Sequence, residues 1–144
     1  MNKQGSVLTS ILLIVAIARA ASGATCDSLK SVSFRKTSIS SATVVAAGTL
    51  VPPRTPDAPP DGFPGAKSMP EICPVQGVLT PSPDSHIEFE VWLPTAGWNG
   101  KYLGTGNGGY AGGINYFDMI RSVSNGSATS STDTGHQGIP IDAR

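Results

Sequence analysis

The stretch Trp98-Asn-Gly-Lys-Tyr-Leu-Gly-Thr-Gly-Asn-Gly-Gly-Tyr-Ala-Gly-Gly113 decides how this chain is read. Lys101 to Thr105 is a short apolar run with the composition of a strand. It runs straight into a loop in which Gly106, Gly108, Gly109, Gly112 and Gly113 crowd together. Glycine admits positive φ and lets backbone N–H groups approach a bound group with no Cβ in the way. A strand ending in such a loop is where α/β proteins set backbone donors against an anion or a developing oxyanion. An isolated glycine cluster is ordinarily a mobile surface loop. This one lies between well-patterned strands, and that gives weight to a site.

Upstream, Ser85 to Leu93 alternates most strictly. His86, Glu88, Glu90 and Trp92 fall on one face, and Ile87, Phe89, Val91 and Leu93 on the other. Such alternation predicts a half-buried strand, with the second set as its apolar face. Ile72 to Leu79 reads as a strand and Pro81 to Asp84 as a turn, so the two strands form an antiparallel hairpin. Pro94 to Gly100 is a turn anchored by Trp98.

Nearer the N-terminus, Thr37 to Leu50 predicts a strand centred on Thr43 to Ala47, after one helical turn begun by Asp27. Val51 to Pro70 is dense in proline. That predicts an extended, surface-hugging connection without helix. Beyond the glycine loop, Asn115 to Ser124 predicts a short helix with Tyr116, Ile120 and Val123 on one side, ended by Asn125-Gly126. Ala128 to Thr132 then reads as a strand opening onto Asp133-Thr-Gly-His136.

The first 20 residues have the form of a secretory signal. Lys3 is the positive n-region, Val7 to Ile17 the apolar core, and Ala18-Arg19-Ala20 a small-x-small cleavage site. The core is shorter than the roughly 20 residues that span a bilayer, and no stop-transfer charges follow. Residues 21–144 are then the mature chain, with no membrane association after cleavage. Without Lys3 and Arg19 it carries 8 basic against 10 acidic residues, a net charge of about −2. No basic stripe points to nucleic acid. The two cysteines, Cys26 and Cys73, both lie in this part. Export and an even count favour a disulfide, and a free buried thiol is the alternative for each.

Gly104-x-Gly106-x-x-Gly109 satisfies a dinucleotide-binding pattern, with Asp133 where a ribose-binding acid would sit. Tyr-Ala-Gly-Gly is a poor helix start, however, and a hairpin precedes the pattern in place of a βαβ unit. No serine lies in a G-x-S-x-G setting, and no metal-ligand spacing occurs. His86 reads as solvated. His136 reads as a residue that orients a loop or lines a site, without a nucleophile or carboxylate placed for a triad. Asn125-Gly126-Ser127 is a glycosylation sequon, usable in a eukaryotic secretory route.

Five ordered blocks are more specific than the glycine pattern: Ile72-Cys-Pro-Val75, Ile87-Glu-Phe-Glu-Val-Trp-Leu-Pro94, Trp98-Asn-Gly-Lys101, Gly106-Asn-Gly-Gly109 and Ser131-Thr-Asp-Thr-Gly-His136. Together they resemble the N-terminal part of the tannase and feruloyl esterase family of secreted serine esterases, over nearly all of the chain from Cys26 onward. Ser127 departs from the family's usual tyrosine in a Gly-Tyr-Ala sequence, which is expected to loosen local packing.

The resemblance implies the N-terminal part of an α/β-hydrolase fold, β-rich and with an antiparallel hairpin at its start. It implies an ester hydrolase acting on feruloyl, galloyl or related aromatic-acid esters, outside the cell or in the periplasm. It also points to the Cys26–Cys73 pair. Gly106 to Gly109 match the family's oxyanion loop. Gly108 and Gly109, deepest in it, are the preferred donors, and a β-branched residue at Gly108 is expected to disfavour positive φ there. Asn107, Asp133 and His136 are expected to line the site.

The family's Cys-Ser-x-Gly-Gly nucleophile segment does not occur here, and the rest of the triad and a lid calcium site belong to later segments. The expectation is the front portion of a longer enzyme, inactive and poorly stable alone, with no cofactor in this segment. An open sheet edge and an uncovered Ile87, Phe89, Val91 and Leu93 face would cause the instability. The alternatives are a small secreted β-rich binding or structural module and, third, a dinucleotide-binding oxidoreductase.

Overall fold

Ser38, Val78, Glu88 and Ser131 sit on neighbouring strands of one five-stranded sheet. Its strands are β1 (Thr37–Ala42), β2 (Ile72–Leu79), β3 (Ile87–Pro94), β4 (Tyr102–Gly104) and β5 (Ala128–Thr132), in the order β1-β2-β3-β5-β4. A computed structural model describes residues 23–54 and 58–138. The expected signal segment, residues 1–20, lies outside the described residues.

The β2–β3 hairpin forms as predicted, with Val75 opposite Val91 and Gln76 opposite Glu90. β5 pairs antiparallel with β3, and β4 joins β5 in parallel. A parallel pair needs a crossover. Here it is the helix α1 (Tyr116–Ser124), so β4–α1–β5 is a βαβ unit downstream of the hairpin. The glycine loop is the connection from the carboxyl end of β4 to α1.

Two expectations shift, and the helical turn begun by Asp27 forms where predicted. β1 lies earlier than predicted, at Thr37–Ala42, and beyond it Val45 makes a single bridge to Ile72. A bulge between Ile39 and Ser41 lets Ile39 and Ala42, three apart, both serve the face that carries Cys73 and Val75. The proline-rich connection admits one short 3-10 helix, Ala66–Ser68, entered through Gly65 at φ +82°. Phe63 and Met69 pin that connection into the core. At the start of the chain, Asp27–Ser31 is a 3-10 helix.

The larger correction concerns β3. The deeply buried face is the one carrying Glu90 and Trp92, whereas Ile87, Phe89, Val91 and Leu93 are half-buried. Trp92 packs with Ile72, Met119 and Val123 under α1, stacked on Tyr116 at 5.9 Å between centroids. Burying a carboxylate beside them requires donors. Glu90 receives three: Gln76 Nε2 at 3.0 Å, Trp92 Nε1 at 2.7 Å and the Tyr116 hydroxyl at 2.8 Å. Burial, then the Glu90 charge and hydrogen bond, raise the Tyr116 phenol well above its ordinary range.

On the opposite face, Val91 and Leu93, like Leu29 and Ile39, pack on the cluster of Ala42, Val75 and Cys73, and Cys73 is disulfide-bonded to Cys26 with Cα atoms 5.6 Å apart. The face expected to lie bare is therefore partly covered. Exposed apolar surface gathers instead at the β4 edge, where Trp98 is 60 %, Tyr102 62 % and Leu103 49 % exposed.

α1 forms where predicted because Tyr116, Met119, Ile120 and Val123 recur at helical spacing and all are buried. The Asn115 side chain caps it by accepting from the Asp118 N–H at 3.1 Å. At the far end Asn125 Nδ2 donates to the Arg121 carbonyl, and Gly126 leaves the helix at φ +78°. Ser127, expected to loosen this region, accepts a hydrogen bond from Asn99 Nδ2 at 3.1 Å. Among the described residues no helix is long and apolar enough to cross a membrane.

Candidate active site

The loop from Thr105 to Asn115 has two unlike halves. Gly106, Gly108, Gly109 and Tyr110 are exposed, while Gly112, Gly113 and Ile114 are buried. The backbone N–H groups of Gly106 through Tyr110 donate to no protein acceptor among the described residues. Thr105 before them donates to the Ser130 carbonyl at 2.7 Å, Ala111 after them to the Gly108 carbonyl at 3.1 Å, and Gly112 to the Gly138 carbonyl at 3.1 Å. A run of unused donors is thus held between fixed points at the carboxyl end of a parallel strand.

Side chains fasten this loop to β5 and α1. Asn107 Nδ2 donates to the Thr132 carbonyl at 3.0 Å, so the residue expected to line the site also tethers the loop. Asn115 Nδ2 donates to the Gly106 carbonyl at 3.1 Å while its N–H donates to Ser131 Oγ at 3.0 Å. A cavity of about 190 Å³ opens here, lined by Asn107, Gly108, Ala111, Gly112, Ile114 and Asn115. A larger cleft of about 420 Å³ lies over β2 and β3 beside Arg54, Glu88 and Glu90, away from the free loop donors.

Positive φ falls at Gly109, at +60°, and not at Gly108. A Cβ on Gly108 would meet nothing within 4 Å. The conformational requirement therefore belongs to Gly109, the first central residue of the turn closed by the Ala111 to Gly108 hydrogen bond.

Asp133 is 4 % exposed. Its Oδ1 accepts from the Glu88 N–H at 2.9 Å and the Gly135 N–H at 2.8 Å. Such a carboxylate holds the β5 exit to β3 and lacks the freedom to take a ribose hydroxyl. The helix begins at Tyr116, with Tyr110 to Asn115 intervening after Gly109, so no helix N-terminus follows the glycines directly. These two facts withdraw the dinucleotide reading. His136 is brought to the loop: its Nε2 lies 3.0 Å from the Tyr110 carbonyl oxygen. His86 is exposed, 3.8 Å from Glu88.

Sequence reasoning did not single out Tyr110 or Thr134, which complete the loop's support, and named Gly112 only as one of the crowded glycines. Asp-Thr-Gly ahead of His136 was the available signal for a tight turn. Among the described residues no group of three or more His, Cys, Asp or Glu is placed to hold a metal ion.

A β-rich sheet whose edge unit is strand, glycine loop, helix and parallel strand defines an α/β arrangement with its candidate site at a strand's carboxyl end. Residues 73–143 match the family described as tannase and feruloyl esterase. It is 41 % identical over 124 residues to an uncharacterized esterase of Xanthomonas campestris pv. campestris, covering 86 % of this chain and 20 % of that protein. It is 36 % identical over 115 residues to feruloyl esterase C of Talaromyces stipitatus, covering 78 % and 21 %. The crystal structure of feruloyl esterase B from Aspergillus oryzae superposes with a TM-score of 0.63 at 32 % identity, over 78 % of this chain and 22 % of that one. The chain thus spans about a fifth of the length of the curated relatives it matches.

Proposed function

We propose that this chain is the amino-terminal part of an exported serine ester hydrolase of the α/β-hydrolase fold, acting on feruloyl, galloyl or related aromatic-acid esters. In this reading the Gly106–Gly109 loop supplies a backbone N–H to the oxyanion hole. The observation that carries it is the run of unused N–H groups between β4 and α1. That connection is where α/β-hydrolases draw one of their oxyanion donors. As an ester carbonyl becomes tetrahedral its oxygen gains negative charge. A preorganised N–H, fixed before the reaction, stabilises that charge without reorganisation. The Gly109 N–H is the preferred donor.

Neither G-x-S-x-G nor Cys-Ser-x-Gly-Gly occurs in the sequence. A donor without nucleophile and base forms no acyl-enzyme, so the chain alone turns over no ester. The signal-like start and the Cys26–Cys73 disulfide support export.

The test reads the gene beyond codon 144, expresses the in-frame product and assays it on methyl ferulate and methyl gallate beside the 144-residue chain. Hydrolysis by the longer protein alone is expected. Gly109→Val in it should lower kcat about a hundredfold, roughly 3 kcal/mol, with KM little changed. A longer protein that cleaves neither ester overturns the reading, and a folded variant with full kcat removes the loop's catalytic part. The second reading, an independent secreted module, draws on Trp92, Ile72, Met119 and Val123 being fully buried within this chain. A cooperative thermal transition of purified monomer would favour it.

A further inference from the structure

Thr134 lies at φ +58°, a region that β-branched residues rarely enter. Gly135 follows at +83°, and the His136 N–H returns to the Asp133 carbonyl at 3.3 Å. Two successive positive φ values make a turn of the I′ kind. The buried Asp133 carboxylate enforces it by accepting from the Gly135 N–H. Strain of this sort persists where the surroundings over-determine it, and it collects at functional sites. The residue that the turn delivers is His136.

The His136 ring meets the glycine loop at two points. Its Nε2 is 3.0 Å from the Tyr110 carbonyl oxygen. Gly112 also lies so close to His136 that a Cβ there would press first on the His136 carbonyl and lie 2.7 Å from ring Cδ2. Because a carbonyl accepts, Nε2 carries the proton. Nδ1 faces the Thr134 hydroxyl at 3.2 Å.

The consequence follows from peptide planarity. In a trans peptide the C=O and the next N–H point in opposite directions. With the Tyr110 carbonyl held toward His136, the Ala111 N–H of the same plane points the other way, into the Gly108 carbonyl at 3.1 Å. That fixes the Gly108 carbonyl, and the Gly109 N–H of its plane must face away from Ala111, where it donates to no protein acceptor among the described residues. Two hydrogen-bonded peptide planes thus connect His136 Nε2–H to the direction of the Gly109 donor.

We propose that His136 is the positioning residue of the oxyanion loop, orienting the Gly109 N–H through the Tyr110–Ala111 and Gly108–Gly109 peptide planes. The catalytic half of this proposal rests on the ester-hydrolase reading above; the structural half does not.

The discriminating variants are His136→Gln and His136→Asn. A glutamine amide reaches about as far as Nε2 and keeps the bond to Tyr110. An asparagine amide reaches only the Nδ1 position, keeping Thr134 and losing Tyr110. Both are polar, so a general packing role would treat them alike. In the 144-residue chain, hydrogen exchange of the Ala111 and Gly112 amides is read by NMR. His136→Asn should speed it by about tenfold or more while His136→Gln leaves it near wild type, because local opening follows loss of the fastening bond.

In the longer protein, His136→Asn should lower kcat on methyl ferulate about tenfold to a hundredfold with KM within about threefold, and His136→Gln should recover most of it. Equal exchange in the two variants overturns the proposal, whatever the longer protein does. Asparagine-specific exchange without a kcat effect in an active longer protein overturns its catalytic half. A longer protein without esterase activity overturns the function reading, while the exchange result still judges His136 as the fastening of the loop. If His136→Asn does not fold, His136→Ser, whose side chain also falls short of the Tyr110 carbonyl, replaces it with the same expected exchange.

Discussion

The Tyr116 hydroxyl donates to Glu90 Oε1 at 2.8 Å, joining the first turn of α1 to the buried face of β3. Tyr116→Phe removes one of three donors to a buried carboxylate. It should cost about 1.5–3 kcal/mol, measured by urea unfolding near neutral pH. The pH dependence has a definite sign. The folded phenol is held above its ordinary value of 10.0. Above about pH 10 the unfolded chain releases this proton while the folded one keeps it, so stability falls as pH rises. That alkaline loss should be shallower in Tyr116→Phe. Equal alkaline slopes would show that the hydroxyl does not govern it.

The Cys26–Cys73 bridge closes a sequence separation of 47 and ties the first 3-10 helix to β2. On the chain-entropy model, reducing it should cost about 4 kcal/mol. Thermal melts with and without reductant read the loss. Non-reducing peptide mapping of exported protein should recover the cross-linked pair; two free thiols would contradict it.

Gly77 has no room for a side chain: a Cβ would press on the Ser38 carbonyl and lie 2.6 Å from Phe89 Cζ. Gly77→Ala should therefore destabilise by about 1–3 kcal/mol, as overpacking does. Adding Phe89→Leu should recover only part, because the Ser38 carbonyl belongs to the β1 backbone. Full recovery in chemical denaturation would assign the whole conflict to the ring.

β4 pairs only with β5 among the described residues, leaving its outer edge open beside exposed Tyr102 and Leu103. An open apolar edge recruits other strands. The purified chain should self-associate with concentration in analytical ultracentrifugation, and Leu103→Lys should shift it toward monomer. A wild-type chain that stays monomeric at high concentration would show that this edge is adequately protected.

The sequence by itself determined the elements whose signal is local. Strict alternation marked β3, helical spacing with Asn115 and Asn125-Gly126 at its ends marked α1, and crowded glycines marked the loop after β4. The family blocks pointed to Gly106, Asn107, Gly108, Gly109, Asp133 and His136; the fold ties Asn107 to the Thr132 carbonyl and His136 to the Tyr110 carbonyl, whereas Asp133 accepts from the Glu88 and Gly135 N–H groups. Which face of β3 is buried was decided only by tertiary structure. Alternation is symmetric, and Glu90 becomes the buried side because Gln76, Trp92 and Tyr116, from strands and a helix distant in sequence, converge on its carboxylate. The same holds for Asp133 as the acceptor of the Glu88 N–H and for His136 on Tyr110. Each depends on a hydrogen-bond partner brought close by β5 packing between β3 and β4, and no local pattern encodes that proximity.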